Sequence, residues 1–112
     1  MKKRDIVKSN ILFNEIINKG CHFNSKYYVL CSLKSDDNKN KFGVAVGTKV
    51  GNAVIRNKIK RQMRVIIDNN KNIFPRFYNY VIICKKEILN LSFHEMEKEL
   101  IYLINKGEKN EE

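Results

Sequence analysis

The sequence has no run of about 18 or more apolar residues, so it contains no segment long enough to cross a bilayer as a helix. Its basic N-terminus, Met1 to Asp5, is not followed by the apolar core and small-residue cleavage site of a secretory signal peptide. These two absences argue against a membrane protein and a secreted protein. We therefore expect the chain to act in the cytoplasm.

Cysteines are few and widely separated. The three cysteines, Cys21, Cys31 and Cys84, form no Cys-x-x-Cys pair, so the sequence indicates neither a zinc site nor a thiol redox motif. Cys31 and Cys84 lie in apolar runs, where burial as small hydrophobic side chains explains them best. We predict no metal site in the protein and no cofactor bound by the protein alone.

Acidic residues are also scarce. The chain has 12 Asp and Glu against 22 Lys and Arg, which gives a formal net charge of +10 at pH 7. No acid lies between Asn38 and Ile67, although that stretch holds eight Lys or Arg. A small domain with such an excess repels itself, which indicates an anionic partner. Nucleic acid and an anionic membrane are the two candidates, and the membrane is the weaker one because no spanning segment exists.

Start and stop signals predict three helices. Ser9 and Gly20 delimit the first helix, and Asn52 caps a second that runs to about Asp68. The segment Ser92-Phe-His-Glu95 matches a capping box, which begins the third helix.

Strand-like segments alternate with these helices and cover residues 23–33, 42–46 and 78–84. The first segment is one strand or two, which leaves the order α-β-β-(β)-α-β-α. This alternation predicts an α/β fold of the α+β kind, built as a two-layer sandwich. We expect one domain over residues 1–112, with an ordered core over about 4–106 and a polar C-terminal tail.

The second predicted helix carries two stripes side by side. At about 100° per residue, apolar residues occupy one arc and cations the adjoining arc. The apolar stripe consists of Ile55, Ile59, Met63 and Ile66, and the cationic stripe consists of Arg56, Lys60, Arg61 and Arg64. No acid at i,i+4 offsets Arg56, Lys60 or Arg61, and only Arg64 has one, Asp68. Like charges at that spacing destabilise a helix by roughly 0.2–0.5 kcal/mol per pair. Phosphates would supply the missing negative charge, so we interpret this helix as a nucleic-acid docking surface.

The stretch from Lys49 to Arg64, KVGNAVIRNKIKRQMR, resembles the signature of the ribonuclease P protein component family. That signature is a Lys, an apolar residue, Gly-Asn-Ala-Val, then Arg-Asn-Arg or Arg-Asn-Lys, an apolar residue and Lys-Arg. Phe13 with Gly20 seven residues later also matches the family, as do the strand segments before the motif and before Lys85-Lys86. The resemblance covers about residues 4–105.

The resemblance implies a role in ribonuclease P, the endoribonuclease that removes the 5′ leader from precursor tRNA. Its RNA subunit is the catalyst and uses Mg²⁺, so no protein residue is expected to be catalytic and Mg²⁺ is required by the RNA-protein holoenzyme. The implied partners are the catalytic RNA, with one protein per RNA subunit, and the leader, but no membrane. The residues expected to bind the RNA are Lys49, Asn52, Arg56, Asn57, Lys58, Lys60, Arg61 and Arg64.

The family also implies a cleft for the leader between the first helix and the sheet, where the bare strand face of Gly43, Ala45 and Gly47 leaves room. The residues expected to line this cleft are Phe13, Ile17, Tyr28, Lys85 and Lys86. Core packing is the alternative for Phe13 and Tyr28, and contact with the catalytic RNA is the alternative for the two lysines.

Several positions depart from the family pattern. Many relatives have a second aromatic residue at Ile17 and basic residues at Gly47 and Thr48, so the grip on the leader is expected to be weaker here. Lys58 in place of Arg keeps the charge but gives up bidentate geometry. The resemblance also implies a mixed sheet with a left-handed strand-helix-strand crossover, against the usual right-handed rule.

Two other interpretations stay open at this point. A different small basic RNA-binding protein, such as a ribosomal protein, has the same charge and size, and only the motif separates the two. A self-sufficient nuclease needs clustered carboxylates for a metal, or a histidine acting as acid and base. Asp36-Asp37 lies in a predicted turn, and His22 and His94 have no evident partners.

Overall fold

The computed structural model describes the backbone of residues 5–111 and the side chains of residues 5–107. The elements in chain order are α1 (Asn10–Lys19), β1 (Cys21–Asn24), β2 (Tyr28–Lys34), β3 (Phe42–Val46), α2 (Ala53–Asn69), β4 (Tyr78–Cys84) and α3 (Phe93–Glu111). This order confirms the predicted one, and the first strand segment forms two strands. The predicted core boundary near residue 4 lies outside the described residues. At the other end, α3 continues to Glu111, so the backbone of the predicted polar tail is helical up to that residue.

Each helix begins at its predicted cap. The Oγ of Ser9 and the Oδ1 of Asn52 each accept a hydrogen bond from the backbone N–H three residues on, at 3.3 and 3.1 Å. In the capping box, the Ser92 N–H donates to Glu95 Oε1 at 2.9 Å and the Glu95 N–H donates to Ser92 Oγ at 3.3 Å. The hydrogen bonds that Ser92 donates to the carboxylate hold the pKa of Glu95 below its ordinary value. None of the helices in the described part combines the length and apolar character needed to span a bilayer.

The four strands form one mixed sheet in the order β1-β2-β4-β3. β1 pairs with β2 and β2 with β4 in antiparallel fashion, whereas β3 and β4 are parallel. Parallel neighbours require a crossover, and α2 supplies it between β3 and β4. The left hand of this crossover stays a prediction from the resemblance.

Alternate strand residues feed two apolar clusters, one on each face of the sheet. The larger cluster lies between the sheet and the pair α2–α3, and these two layers make the predicted sandwich. The smaller cluster lies under α1, which covers part of the other face; its buried members are Val7, Ile16, Cys31 and Val81. β4 contributes to both clusters, which explains its continuous apolar run.

The two cysteines predicted to be buried are buried, and Cys21 is exposed. Burial raises the pKa of the Cys84 thiol to about 12 and also raises the pKa of Cys31. Both thiols therefore stay protonated near neutral pH and pack as small apolar groups.

Two glycines allow α1 to approach the sheet closely. A Cβ at Gly20, which ends α1, would overlap the carbonyl oxygens of Ile16 and Ser32. A Cβ at Gly43 in β3 would lie 2.9 Å from the ring of Phe13. The position of α1 therefore depends on backbone contact at Gly20 and on the Phe13 ring lying over Gly43 of β3.

The Gly20 contact gives a stability prediction. We expect Gly20→Ala to lower the free energy of unfolding by about 2 kcal/mol, since a methyl group forced into a packed site typically costs about 1–3 kcal/mol and neither carbonyl oxygen is on a flexible side chain. Urea unfolding followed by circular dichroism measures this. Gly47→Ala is the matched control, because nothing lies within 4 Å of a Cβ at that position. Equal stability of the two variants would contradict this account of α1 docking.

Candidate nucleic-acid interface

The buried stripe of α2 fixes which of its other residues face outward. Ile59, Met63, Ile66 and Ile67 are at most 5% exposed and pack against the sheet and α3. Ile55, predicted to belong to this stripe, is 37% exposed instead. It lies in the first turn and packs over Gly51, whose Cβ would be 3.0 Å from the Ile55 side chain. The stripe is therefore displaced toward the C-terminal half of the helix, where Ile67 completes it.

The structure brings all eight predicted RNA-binding residues together, on α2 or just before it. Arg56 and Lys60 are half-buried, and the other six are exposed. Asn52 has a structural role as well, because its Oδ1 caps the helix.

These residues lie on two sides of the buried stripe. Arg56, Lys60 and Arg64 follow each other at four-residue spacing on the side of β3, and Arg64 lines a small cavity with Phe13 and the start of β3. Lys58 lies on the opposite side, in a groove beside α3. We call the first set, Arg56, Lys60 and Arg64, the cationic flank.

The α2 cations have no acidic partners in the part of the chain that the structure describes. The ion pairs found there do not involve these cations: Lys19–Glu15 at 3.9 Å, Lys71–Asp5 at 2.8 Å and Lys71–Asp68 at 3.3 Å, the last joining the acid of α2 to a lysine beyond the helix. The Nε of Arg56 is buried and has no hydrogen-bond partner among these residues. An unpaired buried donor is costly, because its hydrogen bond to water is lost and not replaced.

Phe13 and Ile17 lie where the predicted cleft places them. Both are half-buried on the sheet-facing side of α1, against the smaller apolar cluster. The ring of Phe13 covers Gly43, so this part of the bare strand face is filled. Gly47, beyond the end of β3, has open space above it. The room expected from the bare face therefore exists only toward Gly47.

Tyr28 does not line this cleft, and its assignment as a cleft residue was wrong. Its side chain is fully buried on the opposite face of the sheet, where its Oη donates to the carbonyl of Met96 at 3.0 Å and contacts Met63 Sδ at 3.4 Å. Strand alternation is the reason, because it is the neighbours Val29 and Cys31 that face α1. Burial raises the pKa of the Tyr28 hydroxyl above its ordinary value.

Lys85 and Lys86 lie beside the motif rather than apart from it. A depression of about 550 Å³ is lined by Gly47, Lys49, Ile83, Lys85 and Lys86, among others. The Lys85 Nζ donates to the carbonyl of Ser25 at 2.6 Å, which holds its position and leaves its charge unneutralised. Lys86 is exposed. Sequence reasoning did not identify Ile83 as a lining residue of this depression, nor that Lys49 lies close to Lys85 and Lys86. The alternation of side chains along β4 was the one signal that pointed to Ile83.

The residues considered for a self-sufficient nuclease do not assemble. Asp36 and Asp37 lie in the exposed loop after β2, the Nε2 of His22 hydrogen-bonds the Ile17 carbonyl, and His94 is exposed on α3. Over the described residues, no three His, Cys, Asp or Glu side chains are grouped so as to hold a metal ion.

Comparison with known proteins gives consistent matches. The family model described as Ribonuclease P matches residues 1–108. The ribonuclease P protein component of Mesoplasma florum is 41% identical over 105 residues, covering 93% of this chain and 96% of the relative. That of Streptococcus pneumoniae is 36% identical over 104 residues, covering 93% and 85%.

Solved structures agree with these matches. The RNase P protein from Thermotoga maritima superposes with a TM-score of 0.83 at 27% identity, covering 92% of this chain and 97% of that one. The Staphylococcus aureus RNase P protein has the same fold, with a TM-score of 0.83 at 24% identity over 92% and 94% of the two chains. The ribosomal-protein alternative has no support in these matches.

The correction at Tyr28 can be tested directly. We expect Tyr28→Phe to lower the free energy of unfolding by about 1 kcal/mol, because one buried hydrogen bond is lost. The affinity of the reconstituted enzyme for precursor tRNA should not change. Phe13→Ala is the comparison, since it removes a side chain that does face the cleft and should lower both stability and affinity. A specific loss of precursor affinity in Tyr28→Phe would contradict the burial of Tyr28 in the core.

Proposed function

This chain belongs to the ribonuclease P protein family, and we propose on that premise that it holds two RNAs at once. The chain is a subunit of ribonuclease P, a tRNA-processing endoribonuclease. In the proposal, the cations of α2 bind the catalytic RNA, and the depression beside α1 receives the 5′ leader of precursor tRNA. One protein serves one RNA subunit.

The unpaired cations of α2 are the observation that supports RNA docking. Arg56 and Arg61 present planar forks that can bind two phosphate oxygens, whereas Lys58, Lys60 and Lys49 act as point charges. Asn57 and the free amide group of Asn52 donate to phosphate oxygens or 2′-hydroxyls. Because no acid neutralises these groups within the described residues, bound phosphates replace counterions rather than internal partners.

The depression around Lys85 and Lys86 supports the leader site. Ile83 lies on its sheet side, and Ile83 packs against the same apolar cluster as Phe13 and Ile17 of α1. Ile17 offers an aliphatic surface where an aromatic ring would stack on a base, so contact with the leader depends more on the two lysines. A single-stranded leader needs such a combination of charge and apolar surface and no base-specific pocket.

Chemistry at the scissile phosphate is assigned to the RNA partner. The described protein residues offer no grouping of metal-binding side chains. In this proposal Mg²⁺ therefore belongs to the RNA-protein holoenzyme, and the protein contributes binding and positioning.

The docking role predicts a change in salt dependence. We expect Arg56→Ala with Arg61→Ala to flatten the slope of log K against log salt for binding of a ribonuclease P RNA transcript by about two units, one per lost phosphate contact. Fluorescence titration at four or more salt concentrations measures the slope. The fold should persist because neither side chain belongs to the apolar core.

The control is Lys98→Ala with Lys106→Ala, which removes the same charge from exposed positions on α3. Its slope should match that of the unaltered protein. If both double variants change the slope equally, net charge rather than the α2 surface governs binding, and the proposal fails.

The leader role predicts a substrate-specific effect. We expect Lys86→Ala to weaken binding of precursor tRNA to the reconstituted enzyme by about two- to fivefold, the range of one solvent-exposed charge contact. Binding of mature tRNA, which has no leader, should not change. Lys34→Ala, an exposed lysine at the other end of the sheet, is the control. An equal loss for precursor and mature tRNA would exclude leader contact at Lys86.

A further inference from the structure

The side of α2 opposite the cationic flank exposes apolar residues without an evident structural reason. Val54 is 77% exposed, Val65 49% and Ile55 37%, and Leu89, which faces this side from the segment after β4, is 48% exposed. At 3.6 residues per turn, a single arc of about 100° on α2 contains positions 54, 55, 58, 62 and 65. We call this side the apolar flank.

A groove of about 230 Å³ runs between the apolar flank and the chain that leads into α3. Its floor is formed by Ile59, Ile88 and Met96, which are at most 5% exposed. Ile55 and Leu89 form exposed walls. The polar groups that line it are Lys58 and Gln62. The groove is thus an apolar slot with a cation and an amide among its lining residues.

The size and chemistry of the groove favour one flat group over a larger ligand. Pockets for drug-sized ligands hold roughly 300–1,000 Å³, which is more than this groove offers. Proteins that recognise RNA commonly take up a single unstacked base between side chains and hydrogen-bond its edge. The Gln62 amide has both donors and an acceptor for such an edge, and the Lys58 ammonium can reach a flanking phosphate.

Charge favours RNA over a second protein as the occupant. No carboxylate lines the groove, and its cation belongs to the helix whose other cations also lack acidic partners in the described chain. The carboxylate of Glu95, at the start of α3, is engaged by Ser92.

We infer that this groove receives a single unstacked base of the RNA that binds α2, with Gln62 at the base edge and Lys58 at the adjoining phosphate. This inference rests on the proposed function. The helix would then be held from both sides, by phosphates on the cationic flank and by one base on the apolar flank.

The test uses a ribonuclease P RNA transcript and the full-length chain. Leu89→Ala with Gln62→Ala should lower the affinity about tenfold, equivalent to about 1.4 kcal/mol, without changing the salt slope, because no phosphate contact is removed. Tyr102→Ala, which truncates an exposed large side chain on α3 that does not line the groove, should bind as the unaltered protein does. Leu89→Met, which keeps an apolar wall, should also bind normally, and thermal unfolding checks that each variant is folded.

Base-edge probing of the RNA, with dimethyl sulfate for A and C and a carbodiimide for U and G, locates the base. We expect one nucleotide to be protected at its base edge by the unaltered protein and to become reactive again with the double variant, while protection elsewhere persists. Normal affinity of Leu89→Ala with Gln62→Ala overturns the inference, as does a loss that changes the salt slope or that exposes no single base. Normal RNA binding with loss of a protein partner from the assembled enzyme overturns it too.

The two proposals fail in different ways. If the unaltered chain does not bind the transcript, the proposed function itself is wrong. If the chain binds, and Arg56→Ala with Arg61→Ala flattens the salt slope while the groove variants bind normally, only the base groove is wrong.

Discussion

The packing of α2 against the mixed sheet determines where the candidate RNA contacts of this helix lie. Ile59, Met63, Ile66 and Ile67 are almost completely buried there. Burying each such side chain contributes about 1.5–3 kcal/mol, whereas a like-charge pair one turn apart costs roughly 0.2–0.5 kcal/mol. The core contacts therefore outweigh the repulsion among the cations, and the helix can carry an uncompensated basic surface while its rotation about its own axis is fixed.

The opposite face of the sheet depends on close approach rather than on a large apolar area. Gly20 and Gly43 allow α1 to lie directly against the strands, which packs Phe13 and Ile17 into the same apolar cluster as Ile83, a residue that lines the depression with Lys85. Tyr28 stabilises the other face through its bond to the Met96 carbonyl. The sheet thus separates α2, the proposed docking helix, from α1 and the proposed leader cleft, and Lys49 before α2 lines the same depression as Lys85.

Local features of this fold are predictable from sequence because local chemistry determines them. The caps at Ser9, Asn52 and Ser92 and the both-sided burial of β4 all follow from residue type and spacing. The eight motif residues lie close together because six of them are on one helix and the other two, Lys49 and Asn52, come just before it. Features that depend on distant contacts are not predictable in this way. The face on which Tyr28 lies depends on where β2 begins, and a shift of one residue reverses it.

Dependence on distant contacts also explains two other differences between the sequence predictions and the structure. Ile55 fits the helical period of the core stripe, yet it lies in the first turn of α2, where its side chain is 37% exposed. Lys49 and Lys85 are far apart in sequence and become neighbours only because β3 and β4 are paired in parallel. No pattern within either segment indicates that proximity.

The central claim is that phosphates of the catalytic RNA supply the acidic partners that the cations of α2 lack within the described residues. A cryo-electron microscopy structure of this chain bound to ribonuclease P RNA measures it most directly, through the distances from the Arg56, Lys60 and Arg64 nitrogens to the nearest phosphate oxygens. Distances of about 2.7–2.9 Å, the range of charge-assisted hydrogen bonds, are predicted for at least two of the three residues. An RNA that binds another surface and leaves these side chains in solvent would contradict the claim.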